Sequence, residues 1–438
     1  MKYERLIAIC FSTVMVMAGQ GVVSPVLPLY ADDFGVSTAL IGATVTAFGL
    51  ARLVVNIPAG VVADQRGRRF LLIGGPLVTA VGMFGSGISP SIWVLLAFRF
   101  IAGLGSGLYM TGAQIYLLDI AGPEQRGRFI ATNQGALLAG VSAGPALGGF
   151  LADRYGLSAP FLVVAGAALF TAIYGYLRLP ETRPTSAPTD ERSNTGIGGT
   201  AVSRLDLLRS VDFLAVGFVA IGVFSIRAGV RQTLVPLHLS AAFGLEVSEL
   251  GLLFTLLGVI GLVLIWPAGW AADRFGRKIL IVPTAALMAV GMGLVSVAES
   301  LTLFVIGLTI SAIGSGITGP APAAFVADLV GDEKRGMAMG MYRTFGDIGV
   351  VGSPVLSGML ADATSIPVAI GANAVFIGAA AVFFGVFASE PHRVTPDDLL
   401  DRDAAHVTAM PGVVVQRSAA RSGCPTSSAC PAPTGPGR

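Results

Sequence analysis

Charge is what this chain has least of. Only 12% of its 438 residues are Asp, Glu, Lys or Arg, against 53% hydrophobic, and the mean hydropathy is +0.76. A soluble chain of this length needs far more charge to cover its surface, so a globular cytosolic protein is excluded. Histidine and cysteine are scarce, three of each. Cys10 lies in an apolar run, while Cys424 and Cys430 lie in a polar tail, without zinc-ligand spacing or a disulfide framework. The sequence carries no metal-ligand cluster, nucleophile–base pair or His-Glu-x-x-His motif, so neither a cofactor nor enzyme chemistry is expected. Basic residues sit in short loops without interleaved aromatics, and no nucleic acid is expected as a partner. The net charge of +2 matters less than where the charges fall.

Apolar length is abundant. A helix crosses a hydrocarbon core in roughly 20 residues. Runs of about that length or more fall at about 6–29, 40–63, 71–90, 92–117, 130–151, 159–178, 211–237, 249–271, 279–298, 301–326, 337–360 and 367–388. With no water inside the bilayer, helices satisfy the backbone internally. The 58 glycines, costly in soluble helices, let membrane helices approach closely. The expectation is an all-α membrane protein of twelve transmembrane helices. Met1 to Arg5 and the apolar stretch behind them imitate a signal peptide. No small-residue cleavage site precedes Pro25–Pro28, however, and the stretch has a counterpart in the second half, so it reads as the first span. Residues 180–210, with Pro180, Pro184 and Pro188, read as a linker between six-helix bundles at 1–179 and 211–390. Residues 391–438 are rich in Pro, Ser, Gly and Ala and are expected to be a disordered cytoplasmic tail.

Lys and Arg set the orientation. One series of segments holds Lys2 and Arg5; Arg66, Arg68 and Arg69; Arg126 and Arg128; the linker arginines; Arg274, Arg277 and Lys278; and Lys334 and Arg335. The alternate loops hold Asp32, Asp33, Glu246, Glu299 and Asp362, with Arg154 as their only base. The bias predicts a multi-pass protein of the plasma (cytoplasmic) membrane with both termini in the cytoplasm.

The halves repeat. Asp64 and Asp273 are 209 residues apart (273 − 64), and the same offset carries Pro58 to Pro267, Gly105 to Gly314, Glu124 to Glu333 and Gly127 to Gly336. It also carries Gly140 to Gly349, Pro145 to Pro354 and Asp153 to Asp362. Shared apolar composition explains matching Gly or Ala, but not matching Asp, Arg and Pro. The bundles are therefore expected to be parallel repeats about an axis along the membrane normal.

Gly60-Val-Val-Ala-Asp64-Gln-Arg66-Gly67-Arg68-Arg69 follows span 2, and Gly269-Trp-Ala-Ala-Asp273-Arg274-Phe-Gly276-Arg277-Lys278 follows span 8. On these residues the chain, over about 5–390, resembles the major facilitator superfamily. The second copy fits the pattern G-x-x-x-D-R-x-G-R-R/K fully, and the first departs at Gln65. Gly60 admits a close neighbour, Asp64 can cap a helix or pair with a base, and Gly67 permits a tight turn. The resemblance implies a cytoplasmic gate made by Gly60, Asp64, Gly67, Arg68, Asp119 and Arg126, with Gly269, Asp273, Gly276, Arg277, Asp328 and Arg335 as the second copy. Arg99-Phe-Ile-Ala-Gly103-Leu-Gly105 looks like the family's intramembrane arginine motif. Gly140-Val-Ser-Ala-Gly144-Pro145-Ala-Leu-Gly148-Gly149 matches its proton-antiporter signature, and Pro25-Val-Leu-Pro28-Leu-Tyr30 looks like the start of twelve-span drug:proton antiporters.

Charges inside the spans are few: Arg52, Arg99, Arg227, Arg231, Arg343 and Asp347. Spans 3, 6, 9 and 12, outermost in this superfamily, carry none in their interiors. Arg227 and Arg231, four apart, share a helix face. Asp347 is four residues after Arg343 and about 15 Å into span 11, at 1.5 Å per residue. Desolvation and a nearby base pull such a carboxylate in opposite directions, which makes Asp347, with Arg99, the candidate for proton coupling. A static Arg343–Asp347 pair is the alternative. Gln20, Asn56, Tyr109, Gln114, Asn133, Gln134 and Gln232 join Arg52, Arg227, Arg231 and Arg343 as candidates to line a substrate path or to bond between helices. His238 reads as a surface residue.

The expectation is a monomeric secondary transporter working by alternating access. It would be a proton-coupled antiporter exporting a small organic molecule or drug, with the lipid bilayer, protons and that molecule as its partners. Five arginines against one aspartate inside the spans leave open an importer or exchanger of an organic anion bearing a carboxylate or phosphate.

Overall fold

The computed structural model describes residues 2–122, 125–182, 204–318, 321–330 and 335–389, with the side chains at 2, 57, 204–206, 273, 335 and 336 not included. Most of the 180–210 linker and all of the 391–438 tail therefore lie outside the described residues. Among the described residues, twelve helices are long and apolar enough to cross a membrane. Spans 1 to 6 are Tyr3–Val23, Thr38–Asn56, Arg68–Gly87, Ile92–Ile120, Arg126–Tyr155 and Ala159–Arg178. Spans 7 to 12 are Val211–Phe243, Val247–Ala272, Arg277–Ser296, Leu301–Leu329, Met337–Ala363 and Ile366–Phe387. No strand occurs among the described residues.

The helices match the apolar runs but overshoot several of them. Backbone bonding continues past the hydrocarbon, so Thr38–Arg66 and Arg126–Tyr155 are helical well into their polar ends. Two spans are not continuous α-helices. The helix Lys2–Val23 stops at Ser24-Pro25, and a separate short helix, Val26–Asp32, follows because proline cannot donate to the preceding turn. Span 7 changes from α-helix to π-helix over Ile226–Leu234 and back to α-helix over Val235–Phe243.

Packing follows the repeat. In the first half span 3 packs on 4, 2 on 4, 1 on 5, 3 on 6 and 1 on 6; in the second, 9 on 10, 8 on 10, 7 on 11, 9 on 12 and 7 on 12. Two further pairs, 5 on 8 and 11 on 2, join the bundles. Spans 3, 6, 9 and 12 take no part in these joints, and carry side chains such as Phe84, Leu177, Val290 and Val386 to the outside. In lipid such apolar exposure carries no penalty. Helix ends bonded to one another show which termini share a face. One face carries the Asp64–Arg69 and Asp273–Lys278 loops and is called the basic face; the opposite, acidic face carries Asp32, Asp153, Glu246 and Asp362.

Small residues set the distance between helices. A side chain on Gly140, Gly144 or Gly148 would run into the span 1 backbone at Val14, Ala18 or Val22. Overpacking of this kind costs about 1–3 kcal/mol. Gly144→Val is therefore expected to lower the melting temperature of the detergent-solubilised protein by several degrees, or to abolish folding. Gly166→Ala, where a Cβ would meet open space, is expected to leave it unchanged.

Candidate functional site

The two joints between bundles are mirror copies. On one, Gly42 of span 2 lies on Pro354, Gly49 on Val350 and Val351, and Gly358 on Ala39. On the other, Gly251 of span 8 lies on Pro145, Gly258 on Ser142, and Gly149 on Val247 and Ser248. Each pair is related by the 209-residue offset (251 − 42, 258 − 49, 358 − 149). Thr46 donates to the Val351 carbonyl at 2.7 Å, and its counterpart Thr255 accepts from the Ala146 amide at 2.9 Å.

Each joint is latched at the acidic face by a carboxylate on a helix N-terminus. Asp362 accepts from the Thr38 and Ala39 amides at 2.8 and 2.9 Å, and Asp153 from the Ser248 amide at 2.9 Å. The first amides of a helix have no partner inside it and carry its positive dipole end, so an anion from the opposite bundle satisfies both needs. Towards the basic face the joints part: added side chains at Gly60, Gly127, Gly135, Gly261, Gly269 and Gly340 would meet nothing within 4 Å.

Between the separated halves lies a cavity of about 400 Å³. Gln20, Gln134, Arg227, Arg231 and Gln232, all named from the sequence, line it. So do Pro145 of the span 5 motif and Ser24, Ser142, Phe254, Leu257 and Ser315, which were not among the path candidates. A smaller space of about 60 Å³ behind it holds Arg52 and Arg99, and Gln20, Ser24 and Gln232 line both. Arg99 is held within its own bundle: its guanidinium stacks 4.7 Å from the Phe48 ring, and Nε donates to the Thr44 carbonyl at 3.4 Å. Those partners lie one and two turns before Arg52 on span 2. Asp347 lines neither space, yet it is within electrostatic reach of both Arg52 and Arg343. It lies one turn beyond the Gly49–Val350 contact, where the span 2–span 11 joint ends.

The remaining candidates separate by burial. Tyr109 and Asn133 are buried in a network through Thr13, at 3.0 Å to the Tyr109 hydroxyl and 2.8 Å to Asn133 Oδ1. That network ties spans 1, 4 and 5 together away from the cavity. Asn56, Gln114 and Arg343 are exposed and touch neither space. His238 is not on the surface, contrary to expectation. It is half-buried, stacked 5.5 Å from the Phe304 ring with Phe243 at its edge, because span 7 continues to Phe243 and carries it under span 10.

At the basic face, Gly67 and Gly276 have φ of 93° and 106°, a region open to glycine, and so turn one span into the next. Arg68 pairs with Asp64 at 3.4 Å and with Asp119 at 2.9 Å, and Arg277 with Asp328 at 3.2 Å. The side chains of Asp273 and Arg335 lie outside the described residues, and Arg126 is exposed. Each of these three pairs is internal to its own bundle. Glu181 accepts from the Arg68 and Arg69 amides at 3.0 and 3.1 Å, capping span 3. Sequence reading missed it because it sits beyond the motif, in a proline-flanked stretch that resembles a plain linker.

Two six-helix repeats that meet along two joints, around a polar cavity open toward one face, define a membrane transporter rather than an enzyme. A profile of the Major Facilitator Superfamily matches residues 9–230 and 218–421. The chain belongs to that family. An MFS-type transporter of Methanocaldococcus jannaschii is 26% identical over 376 residues, covering 85% of this chain and 95% of its own. Multidrug resistance protein 1 of Bacillus subtilis is 26% identical over 352 residues, with 78% and 86% covered. A bacterial homologue of the human lysosomal transporter Spinster shares the fold, with a TM-score of 0.73, 16% identity, and 86% and 95% covered.

The latches generate a test. In a background lacking the three native cysteines, a Gln232→Cys reporter in the cavity is expected to react slowly with a membrane-impermeant maleimide added at the acidic face. Asp153→Asn with Asp362→Asn should speed that reaction a few-fold, since exposed charge-to-helix contacts of this kind contribute about 0.5–1 kcal/mol each. An unchanged rate would show that the carboxylates do not hold the face shut.

Proposed function

We propose that this protein is a proton-coupled antiporter of the cytoplasmic membrane, exporting a small organic molecule by alternating access. It acts as a monomer with its basic face and both termini in the cytoplasm. The observation that carries this reading is the pair of mirrored joints, packed and latched toward the acidic face and parted toward the basic face around one central cavity. On that orientation the cavity receives substrate from the cytoplasm. Multidrug resistance protein 1 among the relatives supports a drug-like cargo.

Exchange requires the same joints to open at the acidic face and the basic loops to close. The Gly140–Gly149 motif suits this motion. Gly140, Gly144 and Gly148 face span 1 inside the bundle, while Pro145 and Gly149 face span 8 across the joint. Span 5 can thus move with span 1 as one body against span 8.

The proton acts on the other joint. Asp347 on span 11 faces the charge of Arg52 on span 2, so an ionised Asp347 draws the two bundles together where their packing ends. Protonation removes that attraction, leaving Arg52 without its charge partner across the joint. Arg99, anchored on Phe48 and Thr44, positions the span 2 turns that present Arg52.

In proteoliposomes, Asp347→Asn is expected to abolish the acceleration of substrate flux by an imposed pH gradient while leaving counterflow exchange measurable. The loss should be about tenfold or more, as for removal of an intramembrane charge with a coupling role. Flux that still follows the gradient in this variant would remove Asp347 from the mechanism, and wild-type flux indifferent to the gradient would remove proton coupling altogether.

A further inference from the structure

The central cavity has a charge that its export role alone does not require. Arg227 and Arg231 both line it, and its lining includes no Asp or Glu. Neither guanidinium has a hydrogen bond or ion pair among the described residues. Arg227 Cζ lies 5.9 Å from the centre of the Phe224 ring. A cation–π contact does not replace hydrogen bonds to the guanidinium N–H donors. Two like charges within electrostatic range of each other, inside a bilayer and without a counter-ion, are an unstable arrangement. Asp347, the one carboxylate in the interior of a span, is turned to the other joint and lines neither space.

The backbone is bent to produce this pairing. The π-helix runs over Ile226–Leu234, from one residue before Arg227 to three after Arg231. Both guanidiniums line the one cavity from within this segment. Within it the Thr233 hydroxyl donates to the Ala228 carbonyl at 3.0 Å. On the reverse side Gly229 lies against Ser353, where any larger residue would collide. A π segment is rare, and such segments are frequently found at functional sites.

Beside neutral polar groups such as Gln20, Gln134 and Gln232, the lining carries a broad apolar wall of Leu138, Val141, Phe254, Leu257, Leu262 and Ile265. An inorganic anion has no use for such a wall. A volume of about 400 Å³ fits a drug-sized molecule.

We infer that the transported molecule is an amphiphilic organic anion, its carboxylate or equivalent acidic group held by Arg227 and Arg231 and its apolar body lying against spans 5 and 8. This rests on the export reading above and narrows its cargo. A cationic drug would meet two arginines and no carboxylate.

The test uses the full-length protein in detergent and three matched probe sets, naphthyl, biphenyl and decyl. Each set is made as a carboxylate, its primary amide and its trimethylammonium analogue. Melting shifts and titration calorimetry are expected to rank carboxylate above amide above ammonium in at least one set, by about tenfold or more between the first two, as for a charge-assisted pair. Arg231→Gln should bring the carboxylate-to-amide ratio close to one, and Arg231→Lys should retain a preference for the carboxylate. A ratio is read within each variant, so loss of folded protein cannot imitate the result. If no carboxylate is preferred in any set, or the ammonium analogue binds best, the inference is overturned. Carboxylate-selective binding without pH-driven flux would sink only the export reading; pH-driven flux of neutral or cationic compounds with no carboxylate preference would sink only this one.

Discussion

Inside a bilayer the hydrophobic effect cannot push helices together, because lipid is as apolar as leucine. Association has to come from close backbone approach and from the few polar contacts that survive without water. The two joints between the bundles are built on that constraint. Gly42, Gly49 and Gly358 on one side, and Gly251, Gly258 and Gly149 on the other, let helices meet at backbone distance. Asp362 and Asp153 close each joint at its end. Everything proposed for the cavity depends on these contacts being short, local and confined to one half of the membrane thickness. A joint glycine-packed along its whole length would be a permanent core, and a joint without packing would not separate two aqueous faces.

Much of this scaffold was legible in the sequence, since the 209-residue offset records it. Pro145 with Pro354 and Asp153 with Asp362 were visible as repeats before their contacts were known. The same offset also pairs Gly42 with Gly251, Gly49 with Gly258 and Thr46 with Thr255, and following it through every span would have located the joints. Other features have no such signal. The π segment of span 7 contains the packing of Gly229 on Ser353 and the bond from Thr233 to Ala228, neither of which a hydrophobic period reports. The separation of Tyr109 and Asn133 from the cavity likewise depends on Thr13, an unremarkable residue in an apolar run. A polar side chain in a span has two uses, bonding to a helix or facing a path, and only its neighbours in space distinguish them.

The residues of the site break the repeat that the scaffold keeps. At the 209-residue offset Arg52 faces Gly261, Arg99 faces Leu308, Ala18 faces Arg227 and Val22 faces Arg231. Gln134 corresponds to Arg343 and Leu138 to Asp347. Each intramembrane charge is thus present in one half only, although the helices carrying them are equivalent. Two identical halves could rock, but a charge placed identically in both would bias neither joint over the other.

Asymmetry therefore assigns the joints different work. Between spans 2 and 11 the packed stretch ends at Arg52 and Asp347, so in the proposed mechanism that joint is the one to respond to a proton. Between spans 5 and 8 the corresponding positions are Gly261 and Leu138, which line the cavity, so that joint responds to what fills it. Arg227 and Arg231 sit beside the second joint, on the helix that also packs against span 11 of the first. An anion bound there would neutralise the repulsion between them on the same span that flanks Asp347's helix. Under that proposal, coupling between cargo and proton needs no direct contact between them: span 7 and span 11 share the packing of Gly229 on Ser353, through which a shift of either would be felt by the other.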